Sequence, residues 1–162
     1  MTRTRNFLGI PVEGDYTTPS TRVAQRPIEE LQPVMQAVLD DPTITEFGWQ
    51  QYTPYFNDGD PCEFSVYGLW VRTDADADVD DLYDLEADNR EHPSLGRRPY
   101  LWETREFLPY EGPDEARYLR VQALSGAIQG GAFENVLMEA FGDHASVTVR
   151  REGIDVDFYE HD

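Results

Sequence analysis

Three kinds of side chain in this sequence could carry covalent or metal chemistry: one cysteine, three histidines and a large stock of carboxylates. Cys62 as a nucleophile needs an imidazole base and an orienting acid within hydrogen-bond reach, and His144 and His161 are the candidates that folding would have to bring to it. Nothing around Cys62 in the sequence supplies a base, so the preferred reading is a small buried hydrophobe in a strand. His92, His144 and His161 lack the spacing of a metal pair on one helix, and His144 just past a helix C-terminus is accounted for by the dipole there. The run Asp74-Ala-Asp-Ala-Asp-Val-Asp80-Asp81 begins like a calcium loop. However, Val79 stands where that loop needs glycine and Leu85 where it needs a bidentate glutamate, which leaves a solvated acidic loop. No glycine-rich phosphate loop, nucleophile elbow or basic patch is present, and no cofactor is expected.

The elements that would position these groups are legible from periodicity and turn chemistry. Residues 1–26 read as an irregular arm with a short edge strand at 7–12, and 27–162 as one domain with an acidic insert at about 73–92. In 27–41, Ile28, Leu31, Met35, Val38 and Leu39 share a helical face; Pro27 suits the first turn, while Pro33 predicts a kink or a later start. Residues 44–53 and 62–72 read as a hairpin around Asn57-Asp58-Gly59-Asp60. Phe64 and Val66 have one parity and Leu69 and Val71 the other, so a β-bulge at Tyr67-Gly68 is expected to bring all four to one face. Tyr100–Phe107 alternates weakly as a strand. Residues 114–129 and 132–141 read as helices, the second closed by Gly142. In 145–159 a turn at Glu152-Gly153 sets Arg150 opposite Asp155, Val149 opposite Val156 and Val147 opposite Phe158, with the valines and Phe158 all on the buried face. The fold class expected is α+β: a mainly antiparallel sheet from two β-hairpins, with helices packed on one face.

The segment Trp49-x-Gln51-Tyr-Thr-Pro-Tyr-Phe-Asn-Asp-Gly-x-Pro61-Cys62-x-Phe64, with Phe141-Gly-Asp-His144, Arg151-x-Gly153-Ile154 and Tyr159-x-His161-Asp162 near the end, resembles a family of small proteins from bacteria and their phages. The resemblance implies a shared origin and a common fold, and no chemistry. The acidic stretch at 74–91 is outside it.

Charge narrows the partners. Of 162 residues, 32 are acidic and 13 basic, a net charge of −19, and every base is arginine. Such a surface repels nucleic acid and anionic membrane and attracts basic proteins. A single cysteine excludes an internal disulfide, and the N-terminus has no long apolar run, so a cytoplasmic protein or a virion component is expected. The function expected is non-enzymatic protein–protein contact. Its candidate contact residues are Trp49, Tyr52, Tyr55, Phe56, Asp58 and Asp60 around the first hairpin, and Asp76, Asp78, Asp80 and Asp81 in the acidic run. The alternatives are a DNA-mimicking antagonist of a nucleic-acid-binding defence enzyme, and a hydrolase.

Overall fold

The computed structural model describes residues 5–12, 23–54 and 63–160. In chain order the elements are β1 (Arg5–Phe7), β2 (Ile10–Val12), α1 (Ile28–Leu39), β3 (Ile44–Tyr52), β4 (Ser65–Thr73), β5 (Tyr100–Leu101), β6 (Glu106–Phe107), α2 (Glu115–Gln129), α3 (Glu134–Phe141), β7 (Ala145–Arg150) and β8 (Gly153–Phe158). The protein is α+β. A four-stranded antiparallel sheet runs in the order β4-β3-β7-β8, and two small hairpins stand apart from it, β1-β2 and β5-β6.

The core forms because the two central strands alternate. Phe47 and Trp49 of β3 and Val147 and Val149 of β7 point to one face, where Leu31 and Val38 of α1, Val121, Leu124 and Ile128 of α2, and Leu137 of α3 meet them. The expected bulge is present: Gly48 pairs with Trp70 but Gln50 with Tyr67, so β4 carries one extra residue, at Gly68 with φ +64°. Val66, Leu69 and Val71 are therefore all buried and Phe64 packs beside them.

Several expectations are corrected. Helix α1 starts at Ile28, not at Pro33, and continues through Pro33; Pro33 and Glu29 are both exposed, so the carbonyl that proline leaves unbonded is open to solvent. Ile28, on the expected core face, is exposed. The segment at 7–12 is not one edge strand but the end of β1, the turn and β2 of a separate hairpin, which turns through Leu8 and Gly9 at positive φ. Tyr100–Phe107 is also a hairpin rather than one strand. In the last hairpin the turn is Arg151-Glu152, so Arg150 faces Gly153, Val149 faces Ile154 and Val147 faces Val156. That slides β8 by two residues, which preserves every side chain's face. From this turn the Arg151 guanidinium donates to the carbonyls of Leu39 and Asp41 at the end of α1. Val156 and Phe158, expected in the core, are 45% and 73% exposed, because β8 lies at the sheet's edge beyond the helical layer.

Candidate functional site

Among the described residues, the contact residues predicted from sequence are spread over different surroundings. Trp49 is fully buried, its indole N–H donating to Gln51 Oε1 at 2.9 Å, so it cannot touch a partner. Tyr52 lies on the sheet's opposite face and stacks on Tyr67 and Tyr159, ring centres 4.7 and 5.4 Å away. Tyr55, Phe56, Asp58, Asp60, Cys62 and His161 lie outside the described residues. Asp76 is only 1% exposed, which removes it from any contact surface. Asp78, Asp80 and Asp81 are exposed, and Asp81 caps the short 3-10 turn Leu82–Leu85 through Tyr83 N.

The acidic segment keeps most of its carboxylates in solvent, as expected, while its backbone is fastened to the sheet. Arg72 donates to the carbonyls of Asp76 and Val79, both at 2.7 Å. Asp76 Oδ2 accepts from Thr73 N at 3.0 Å and Ser94 Oγ at 2.7 Å. Further along, Ala87 N donates to Leu69 O and Glu86 bridges Trp70, which closes the free side of β4.

Here a buried serine, histidine and aspartate occur together, and the geometry shows that they are not a catalytic triad. His92 Nε2 must donate to Val71 O, 2.8 Å away, which leaves Nδ1 as the acceptor. Nδ1 then receives the N–H groups of Ser94 and Leu95 at 3.1 and 3.3 Å. Ser94 Oγ faces Asp76 and Thr73, not the imidazole. Both ring nitrogens are spent on backbone, so no base is available to activate the hydroxyl. Burial lowers the His92 pKa, against a smaller upward pull from its bond to Val71 and from Asp76.

The end of β3 and the Phe141–His144 segment converge at one end of the sheet. Gln51 Nε2 donates to Leu137 O at 2.9 Å and Gly142 O at 2.8 Å, closing the last turn of α3. Thr53 donates its N–H and hydroxyl to Asp143 at 2.7 and 2.8 Å. Burial alone would raise the Asp143 pKa, but the Thr53 bonds and His144 bring it below the usual value. His144 sits 3.6 Å from Asp143 with its ring near Phe158. These contacts are structural: they lock β3, α3 and β7 together.

The other edge of the sheet also offers a contact surface. On the outer face a charge ladder crosses all four strands, from Arg72 on β4 to Glu46 on β3, Arg150 on β7 and Asp155 on β8. On the helix-facing side, Ile154, Val156 and Phe158 form an exposed apolar stripe, 47%, 45% and 73% exposed. Ile154 also borders an apolar groove of about 510 Å³ between α1 and α3, walled by Leu31, Met35, Leu39, Val136 and Phe141. The sequence does not reveal this surface, because alternation shows which residues share a face and says nothing about what covers that face. A basic neighbourhood also emerges that no sequence pattern marks. Arg90, Arg97 and Arg98 line a pocket of about 160 Å³ with Tyr100, Phe107 and Tyr118.

Among the described residues, no group of histidine, cysteine and carboxylate is placed to hold a metal, and no helix is long and apolar enough to cross a membrane. Compared with protein-family models, curated proteins and solved structures, the chain matches none.

Proposed function

We propose that this chain is a non-enzymatic interaction protein, acting through protein–protein contact on the β8 edge and the α1–α3 groove. One observation carries the reading: an ordered strand keeps three large apolar side chains on the surface, continuous with an apolar groove. Exposed apolar surface of that kind gains from being covered, at about 25 cal/mol for each Å² removed from water. The bacterial or phage origin implied by the sequence resemblance belongs with this reading. A hydrolase gains no support, since the buried histidine and serine are committed to structural bonds.

The test is affinity capture from the native host's lysate with the wild-type chain and with Ile154→Glu as baits, at low and high salt. The expected result is a stoichiometric protein partner that Ile154→Glu fails to retain and that high salt does not release. Equal capture by both baits would overturn the reading. A partner released entirely by salt would favour the acidic-antagonist alternative.

A further inference from the structure

We infer that β8 is a docking edge for an extended segment of another protein in which apolar and basic residues alternate, bound as a fifth strand of the sheet. This rests on the protein-contact reading above and specifies its geometry and the partner's chemistry.

The backbone argument comes first. Tyr159 N donates to His144 O at 2.7 Å, which makes 144 and 159 a hydrogen-bonded pair. In an antiparallel ladder bonded and non-bonded pairs alternate, so Asp157, Asp155 and Gly153 bond to β7. The N–H and C=O groups of Ile154, Val156 and Phe158 therefore point off the edge. No described strand takes them, because β8 ends the sheet order. The opposite edge differs: beside β4, Leu69 N donates to Gln129 and Leu69 O accepts from Ala87. One side of the sheet is closed by its own chain, and the other presents a row of backbone groups unpaired among the described residues and suited to strand addition.

The side chains then select the occupant. On the helix-facing side an added strand meets Ile154, Val156 and Phe158 and the groove that Ile154 borders, so its inward residues should be apolar. On the outer side it meets Asp155 and Asp157. Asp155 already holds Arg150, while Asp157 has no ion-pair partner among the described residues, so the outward residues should be basic. A second copy of this chain is a poor occupant. Antiparallel pairing centred on Val156 sets Asp155 against Asp157 of the second copy, between molecules each carrying −19.

The probe is a fluorescent hexapeptide of alternating arginine and valine, matched to the six residues of β8. Its controls are a glutamate–valine hexapeptide and one with arginines and valines in separate blocks. Fluorescence anisotropy with the full chain should show binding of the alternating basic peptide and weaker binding of both controls. Val156→Pro removes one outward N–H without breaking a bond to β7, and should weaken binding by about tenfold or more while leaving the urea midpoint nearly unchanged. If that variant unfolds, Asp157→Lys serves instead: it should lose affinity for the basic peptide by roughly threefold and gain affinity for the acidic one. Equal binding of all three peptides, binding unaffected by either variant, or no binding at millimolar peptide would each overturn the inference. A dimer in sedimentation that Val156→Pro dissolves would overturn it in favour of self-association. If a protein captured through Ile154 binds Val156→Pro normally and is not displaced by the hexapeptide, edge pairing fails while the contact reading stands.

Discussion

The buried His92 makes a quantitative demand on how stability changes with pH. Its folded pKa lies below the ordinary 6.5, first because burial disfavours the imidazolium. Geometry adds the reason that no adjustment is available: a proton on Nδ1 would point at the N–H groups of Ser94 and Leu95. The unfolded chain takes up a proton near pH 6.5 that the folded chain refuses. Stability must therefore fall as pH drops below that value, with a limiting slope of about 1.4 kcal/mol per pH unit. For an imidazole that stays neutral when folded, the loss between about pH 7 and pH 5 is about 2 kcal/mol. Glu86 works in the opposite direction, since burial and then Asp88 raise its pKa and the folded state binds its proton more readily. The measurement is therefore a difference between two proteins. Urea unfolding of the wild-type chain and His92→Gln at pH 7 and pH 5 isolates the His92 contribution. Glutamine keeps a donor for Val71 O and leaves two N–H groups unpaired, so the variant should be about 1–3 kcal/mol less stable at pH 7. Its stability should decline less than the wild type's on acidification, by up to about 2 kcal/mol. Identical declines in the two proteins would refute the assignment of both ring nitrogens to backbone.

Three other substitutions probe the same framework by urea unfolding. Gln51→Ala removes a donor from the carbonyls of Leu137 and Gly142 and leaves the buried indole N–H of Trp49 without its acceptor, and should cost about 2–3 kcal/mol. Gly48→Ala should cost about 3 kcal/mol, because the new Cβ would fall against Val147 O and within 2.8 Å of the Trp70 ring. Asp41 has its pKa raised by burial but lowered further by Thr43 and Arg120, so Asp41→Asn should cost about 2 kcal/mol at pH 7. That cost should shrink as pH falls below 3.8, where the unfolded chain takes up the proton first and the folded carboxylate follows at lower pH.

The bulge at Gly68 is readable from the sequence because the side-chain period of a strand is two, so a switch of parity beside a glycine marks an inserted residue. Helices α1 and α3 are readable because their apolar residues recur at the helical period, whereas α2 is marked by its entry at Asp114, whose side chain caps Arg117 N. The last hairpin is half readable. Its alternation is real, but registers two residues apart keep the same faces, so alternation alone does not choose between them. The candidate site is the least readable part. Trp49 and Asp76 have the composition of contact residues and are buried, one by the helices and the other by Thr73 and Ser94.

The linear chain determined what could pair and which side chains share a face, together with the strongly negative charge and the want of an obvious reactive centre. Only the folded arrangement decided which faces meet water. Val147 and Val156 stand directly opposite each other, yet one is sealed and the other is wet, because the helices span the central strands and stop short of β8. Alternation is a property of the backbone, whereas coverage depends on where distant segments come to rest, and no local pattern encodes that.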